Sequence, residues 1–204
     1  MASTESIANL ALGALLLERR ITNLETEKGN EATVLRTHFQ TALKSALADM
    51  DLDSTSGYAV LEKVLTFPDN GWEYAYKYPE NCAFLRRLLS GVDKDNRSTF
   101  IPKKVRVFNG QQVIICNQDA ATAEIVMSDV PLNTLSASAE MAIAYRLAAL
   151  SAPLITGKGA KTLMEQIDNK YKMAKSEAQE QDRNENFQFT DPEIDSEWVE
   201  FRTS

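Results

Sequence analysis

The chain holds a single histidine, His38, the natural first candidate for a general base. Catalysis by a serine–histidine–aspartate triad would have to use it, because the imidazole takes the proton of the nucleophile. No Gly-x-Ser-x-Gly element is present to hold such a serine. His38 follows Leu35 by three residues and precedes Phe39, so a partly buried or surface histidine on a helix is the preferred interpretation. An enzyme in which acids of the last helix act together with His38 is the minor alternative.

The spacing of the candidate ligand residues does not match that of known metal or phosphate sites. Cys82 and Cys116 are separated by 33 residues, and with one histidine they offer no ligand pair of zinc-site spacing. The stretch GKGAKT at 157–162 lacks the spacing of a phosphate-binding loop. The stretch DKDNR at 93–97 lacks the glycine and the final glutamate of a calcium loop. We therefore expect a non-enzymatic protein without cofactor or metal.

An aromatic ribbon is predicted where Trp72, Tyr74, Tyr76 and Tyr78 follow one another at two-residue spacing before Pro79. In an extended segment, alternate side chains lie on the same face. Tyrosine and tryptophan supply a large contact area with a polar tip, which favours a surface that docks onto another subunit. The competing interpretation is an ordinary core strand.

The C-terminal residues 184–204 carry most of the net charge. They contain six acids and one base, and so contribute −5 of the total of −7. Apolar anchors lie among these charges, namely Phe187, Phe189, Ile194, Trp198, Val199 and Phe201. A purely disordered, solubilising tail would have few aromatic residues. The pattern predicts a segment that becomes ordered on a partner, with folding back onto the chain's own helices as the alternative.

Composition narrows the class of protein. The 204 residues suffice for one domain with a real core, and 44% of them are hydrophobic. No apolar stretch is long enough to span a membrane. Two cysteines do not suggest a disulfide framework, so we expect synthesis in a reducing host cytoplasm. The body outside the tail carries only −2, which argues against sequence-specific nucleic-acid binding because phosphate neutralisation needs a basic face.

Apolar spacing predicts helices at both ends of the body and a small β insertion between them. Helical periodicity covers residues 7–17 and 32–50, and then 139–150 and 160–183. A short helix is also predicted after Pro79, because Phe84, Leu85, Leu88 and Leu89 form one helical face.

The β insertion is predicted at about residues 100–128. Asn109 and Gly110 stand between two strand-like runs and favour a type I′ hairpin, because both central residues of that turn need positive φ. Residues 123–127 add a third strand of a meander. The predicted fold is therefore mainly α: a helical bundle over 1–183 with an inserted antiparallel hairpin or meander, followed by an extended tail over 184–204.

Residues 72–86, WEYAYKYPENCAFLR, resemble the motif W-x-Y-A-Y-x-Y-P-x-x-C-x-x-L-R of the tail tubular protein A family of short-tailed bacteriophages. The flanking helical segments are also similar to those of the family, and the resemblance covers about residues 5–183. The sequence departs from the family after the second helix and near 127–135, where the expected aromatic residues are missing. The tail past Arg183 has no counterpart.

The resemblance implies a structural virion protein, the head-to-tail adaptor, located in the tail at the portal vertex. The family forms a dodecameric ring between the portal protein and the tail nozzle, tail tubular protein B, and genomic DNA passes through its lumen. The weakly acidic chain agrees with a channel in which DNA slides without sequence-specific binding, because it repels phosphate. No membrane partner is expected. The predicted interface residues are Trp72, Tyr74, Tyr76, Tyr78, Asn109, Gly110, Phe187, Phe189, Trp198 and Phe201.

The alternative function is a non-catalytic helical interaction module, such as an assembly chaperone that binds its partner through the tail. It predicts small complexes and no ring on a portal.

Overall fold

The computed structural model describes residues 2–64, 71–91, 99–157 and 161–186. The helices in these residues are α1 (Thr4–Ala14), α2 (Asn30–Met50), α3 (Ala137–Ile155) and α4 (Lys161–Glu185). The strands are β1 (Ser56–Val60), β2 (Tyr74–Lys77), β3 (Cys82–Leu88), β4 (Lys103–Phe108), β5 (Gln111–Cys116) and β6 (Thr122–Met127). Short 3-10 helices at Asp53–Thr55 and Leu132–Thr134 flank the β region.

The fold is a mixture of α and β, so the prediction of a mainly α helical bundle with a small β insertion at about 100–128 is wrong. Strand pairing begins at Ser56, and the strands form two three-stranded antiparallel sheets in the orders β1-β6-β3 and β2-β5-β4. The region between α2 and α3 is therefore a β layer of its own, larger than a single hairpin or meander.

The short helix predicted after Pro79 is strand β3, and β-bulges explain the error. The register of β3 against β6 shifts between Cys82 and Phe84 and again between Leu85 and Arg87. Each bulge adds one residue to the strand and displaces the alternation of its side chains. The buried positions are consequently Cys82, Leu85 and Leu88, at three-residue spacing. Such spacing imitates the periodicity of a helix.

The predicted type I′ hairpin is confirmed, but the meander is not. Strands β4 and β5 pair directly, and the two residues at their turn, Asn109 and Gly110, have φ values of 49° and 78°. Strand β6, by contrast, pairs with β1 and β3 instead of β5. The chain crosses from one sheet to the other between β5 and β6, a long-range pairing that local strand propensity cannot predict.

The four helices occupy the segments of predicted helical periodicity, although α1 ends at Ala14, before the predicted end at Leu17, and Leu10 is exposed. Ser3 caps α1, since its side chain accepts a hydrogen bond from the backbone N of Ser6 at 3.1 Å. Pro153 lies inside α3, which ends two residues later at Ile155. Helix α4 is held to the end of α2 by Tyr171, whose hydroxyl donates to Asp49 at 2.6 Å. The apolar faces of all four helices meet in one core.

The sheets form two layers beside the helices. Val126 of the β1-β6-β3 sheet belongs to the helical core. On the other face of that sheet, Leu85 and Ile125 pack in a second core with Tyr76 and Ile114 of the β2-β5-β4 sheet. The order of layers is therefore helices, first sheet, second sheet.

The two sheets are joined on one side and unpaired on the other. After β1 the chain continues from the first sheet to the second: Leu61 donates its backbone N–H to Ala121, and Val64 donates to Ala75 at 2.8 Å. On the opposite side, β3 and β4 do not pair with each other in the described residues. A hydrogen bond of 2.8 Å from Lys103 Nζ to the carbonyl oxygen of Arg86 links these two strands. We call this side the β3–β4 seam.

Substitution of Gly110 tests the hairpin turn. An added Cβ would meet no atom within 4 Å, but the φ of 78° is strained for any side chain. We expect Gly110→Val to lower the free energy of unfolding by about 1–2 kcal/mol, measured by urea denaturation followed by circular dichroism. Gly13→Ala is the matched control, because Gly13 lies inside α1 with equally open space. It should raise stability by about 0.5–1 kcal/mol. Equal effects of the two substitutions would contradict the turn geometry.

Candidate interaction surfaces and the Arg86 network

Most of the predicted aromatic ribbon lies in the protein interior. Tyr76 is fully buried, with no exposed surface, and its hydroxyl donates to the carbonyl oxygen of Gln118 at 2.7 Å. Tyr74 and Tyr78 are partly buried against the same core. Burial raises the pKa of Tyr78, whose hydroxyl also accepts a hydrogen bond from Cys82 Sγ at 3.4 Å. The three tyrosines therefore share one face, as predicted, but that face is turned towards the first sheet.

Trp72 does not share the face of the tyrosines. It precedes the first residue of β2 and packs on the opposite side of the second sheet, against Ala75, Val113 and Ile115. The ammonium group of Lys104 lies 5.6 Å from the centre of the Trp72 ring, within the range of a cation–π contact. The ribbon thus serves mainly as core, which leaves Trp72 and parts of Tyr74 and Tyr78 as possible contact surface.

The other predicted interface residues fall into two groups. Asn109 and Gly110 are exposed at the tip of the β4–β5 hairpin, where they are accessible to a partner. Phe187, Phe189, Trp198 and Phe201 lie outside the described residues.

Arg86 is the centre of an ion-pair network. Its Nε lies 2.6 Å from Asp51 Oδ1, and its Nη1 lies 2.5 Å from Asp53 Oδ1 and 3.0 Å from Glu124 Oε1. A further hydrogen bond joins Nη2 to the carbonyl oxygen of Asp51 at 2.9 Å. Only 13% of the Arg86 side chain is exposed. A planar guanidinium has enough donors to bind several oxygen atoms at once, whereas the single ammonium of lysine does not match this arrangement.

The network extends from the sheet to α4. Glu124 of β6 binds both Arg86 and Arg87, the latter at 2.6 Å. Asp182 of α4 accepts the backbone N–H groups of Asp53 and Ser54 at 2.7 and 2.9 Å. These contacts fix the end of α2 and the following 3-10 helix between the first sheet and α4.

The electrostatics of the network are consistent with its geometry. Burial by itself would lower the pKa of Arg86, but hydrogen bonds with Asp51, Glu124 and Asp53 outweigh it and raise that pKa above its ordinary value. Burial would raise the pKa of Glu124, but the hydrogen bonds from Arg87 and Arg86 lower it overall. Arg86 and Glu124 are therefore both charged at neutral pH.

A cleft of about 480 Å³ lies over the network, between β3, the 3-10 helix and α4. Its walls include Phe84, Arg86 and Arg87 on one side and Gln179, Asp182 and Arg183 on the other. The cleft is polar: its lining includes four acids and three arginines, and Arg86 and Arg87 are paired with three of these acids.

Exposed apolar side chains are found on edge strands of both sheets. On β1, Tyr58 is 74% exposed and Val60 is 85% exposed. On β4, Val105 is 43% exposed and Val107 is 71% exposed. Exposed apolar residues on an edge strand are typical of a surface that pairs with further chain.

Sequence patterns do not predict the roles of Arg86, Asp51 and Asp53. Arg86 is the last residue of the motif at 72–86, and Asp51 and Asp53 lie in the loop after the second predicted helix. The signal that could have drawn attention to the loop is Leu52, a buried residue between two acids. A single sequence does not show that Arg86 meets Asp51 and Asp53, because it lies 35 and 33 positions away from them.

The remaining candidates carry no assembled chemistry in the described part of the chain. His38 is half-buried on α2. Within residues 2–64, 71–91, 99–157 and 161–186, no group of three or more His, Cys, Asp or Glu side chains is arranged to hold a metal. None of the helices described here is both long enough and apolar enough to cross a membrane.

Comparison with known proteins gives no match: no protein-family model matches the chain, and no curated protein is significantly similar to it.

Removal of Arg86 should weaken the attachment of the first sheet to the helices. We expect Arg86→Ala to lower the free energy of unfolding by about 3 kcal/mol, because Glu124 keeps only Arg87 as its partner. Arg86→Lys should recover less than half of this loss, since it cannot bind three carboxylates. Lys77→Ala is the control: its ion pair with Glu62 is exposed on both sides and should contribute less than about 1 kcal/mol. Guanidinium denaturation measures all three. A loss for Arg86→Ala no larger than that of the control would disprove the central role.

The lowered pKa of Glu124 predicts an acid-dependent loss of stability. A carboxyl whose pKa is lower in the folded state contributes stability above its unfolded pKa, and this contribution disappears as the pH falls through its folded pKa. Between about pH 5 and pH 3 the free energy of unfolding should therefore fall less steeply in Glu124→Gln than in the native protein. Glu180→Gln, at an exposed position of α4, is the charge-matched control. A Glu124→Gln curve parallel to that of the control would contradict the assignment.

Proposed function

We propose that the chain is a structural subunit of a short-tailed bacteriophage virion, the head-to-tail adaptor. As such it forms a ring, a dodecamer by the resemblance, between the portal and the tail nozzle at the portal vertex. Genomic DNA passes through the lumen of the ring without being read. The motif at residues 72–86 supports the proposal, and its residues have a common structural purpose here. Tyr76 and Cys82 fill the core between the sheets, and Arg86 attaches the first sheet to the helices.

The observation that carries the proposal is the presence of exposed apolar residues on edge strands of two different sheets. A closed ring needs a heterologous contact, in which one surface of a subunit meets a different surface of the next. Strand β1 offers Tyr58 and Val60, and β4 offers Val105 and Val107. Two unlike surfaces on one subunit are what such a contact requires.

The occupant proposed for the β1 surface is a neighbouring copy of this chain. The strand from Ser56 to Val60 has no charged residue, so it offers nothing to phosphate, and apolar contact is its main source of binding energy. A second copy of the same chain brings its own exposed apolar strand surface to that contact. The overall charge of −7 also favours a protein partner over DNA.

The test is the mass and symmetry of the protein alone and with the portal of the same virion, by light scattering and negative-stain electron microscopy. We expect a small species in the absence of the portal and a ring upon it. A protein that remains monomeric or dimeric and does not bind the portal would refute the adaptor and favour the interaction module.

Substitution of the β1 surface sharpens this test. Tyr58→Ser combined with Val60→Ser should reduce the yield of rings at least tenfold, because each lost apolar contact weakens the interface by about 1.5 kcal/mol or more. The fold should be unaffected, since both side chains are exposed. Leu154→Ser is the control: Leu154 is 61% exposed on α3, away from the strands. Equal ring yields in the double variant and the control would exclude β1 from the contact.

A further inference from the structure

Strand β4 has an edge that no other described strand covers. One side of β4 pairs with β5 along its full length, from Lys103 opposite Cys116 to Phe108 opposite Gln111. The other side faces the β3–β4 seam, where no strand is found in the described residues. Val105 and Val107 are two positions apart, so their side chains share one face of the strand, and both are exposed. Unpaired backbone groups beside apolar side chains form a template for an additional strand.

The edge is also basic. Lys103, Lys104 and Arg106 stand among four successive residues of β4. Lys103 reaches across the seam to Arg86, and Lys104 lies over Trp72. This strand is a concentration of positive charge in an otherwise acidic protein, so an acidic strand would complement it.

The C-terminal turn of α4 lies near Arg86, a residue at the seam. Asp182 is anchored to the 3-10 helix, and the next residue, Arg183, lines the same cleft as Arg86. Arg86 in turn accepts the hydrogen bond of Lys103, the first residue of β4. The end of α4 and the start of β4 therefore lie on either side of Arg86 in the same part of the molecule.

The remaining residues, 187–204, have the length and the composition to cover β4. Eighteen residues can extend over about 60 Å, whereas pairing with six-residue β4 needs only about 20 Å. These residues contain five acids and one base. Acids and apolar residues are mixed most closely in the stretch SEWVEF at 196–201.

We propose that residues 187–204 fold back onto their own subunit, and that residues 196–201 pair as an additional strand along the edge of β4 that no described strand covers. Alternate residues of a strand share a face. Val199 and Phe201 then cover Val105 and Val107. Glu200 lies on the other face, with Lys104 and Arg106, where an opposite-charge pair across strands is stabilising. The added strand closes the seam.

The first test is hydrogen exchange, followed by mass spectrometry, of the full chain and of a variant that ends at Asn186. Amides of β4 should exchange at least tenfold more slowly in the full chain, while those of β5 remain protected in both. The difference should be the same at low and high protein concentration. Protection that grows with concentration would assign the strand to a second copy and overturn the intramolecular pairing. Equal exchange of β4 in the two proteins would overturn the proposal altogether.

Charge reversal tests the register within the full chain, where truncation is not a concern. Glu200→Lys should reduce the protection of β4, and adding Lys104→Glu with Arg106→Glu should restore it. Asp191→Lys changes the tail charge equally outside the pairing stretch and should retain the protection. Loss of protection in both tail variants would mean that charge alone attracts the tail, without strand pairing, and would overturn the register.

Double-stranded DNA is the competing ligand for a basic strand. In the same experiment, a short duplex at physiological salt should leave the exchange of β4 in the full chain unchanged. A duplex that displaces the tail and protects β4 would instead identify the strand as a nucleic-acid surface, and would overturn the proposal.

The pairing has a consequence for assembly that rests on the proposed function. If β4 contributes to a ring contact, the tail must leave it first, so a free subunit is prevented from polymerising early. The tail would then be available for a partner in the assembled virion. The two proposals fail separately: exchange on the isolated protein tests the pairing, and ring formation on the portal tests the adaptor.

Discussion

The attachment of the β layer to the helices depends on one nearly buried cation. Arg86 lies in the bulged strand β3 and binds Asp51, Asp53 and Glu124. Asp182 of α4 accepts hydrogen bonds from the backbone N–H groups of the 3-10 helix that begins at Asp53. Without Arg86, the carboxylate of Glu124 would keep only Arg87 as a partner in a largely buried position. The bulge next to Arg87 directs Arg86 and Arg87 to the same carboxylate, so an irregularity of the strand is part of the attachment.

The location of the aromatic residues determines which surfaces remain for partners. Because Tyr76 is fully buried and Tyr74 and Tyr78 pack beside it, the aromatic strand stabilises the space between the two sheets. The surfaces that remain for contact with other molecules are then the edge strands of the two sheets. Strand β1 presents neutral apolar residues, and β4 presents apolar and basic residues. The difference in charge between the two edges suits them to different partners.

Sequence patterns predicted the helices and the hairpin well, since their causes are local. Helical periodicity over α2 and α4 reflects one apolar face, and Asn109-Gly110 satisfies a turn that needs positive φ twice. Only some of the predicted interface residues lie on the surface. The hairpin tip is exposed, the tyrosines are mostly interior, and the Arg86 network was not predicted. Its members meet through contacts between positions 51, 86, 124 and 182, and no local pattern encodes such a meeting.

The sequence by itself determined the apolar faces of four helices, the β4–β5 turn and the acidic character of the C-terminal residues, because each is a property of neighbouring residues. Tertiary structure decided the rest. It made Cys82, Leu85 and Leu88 a bulged strand in spite of their helical spacing, since pairing with β6 outweighs local preference. It placed β6 between β1 and β3, and it turned the tyrosines inward because two sheets had to bury a common face.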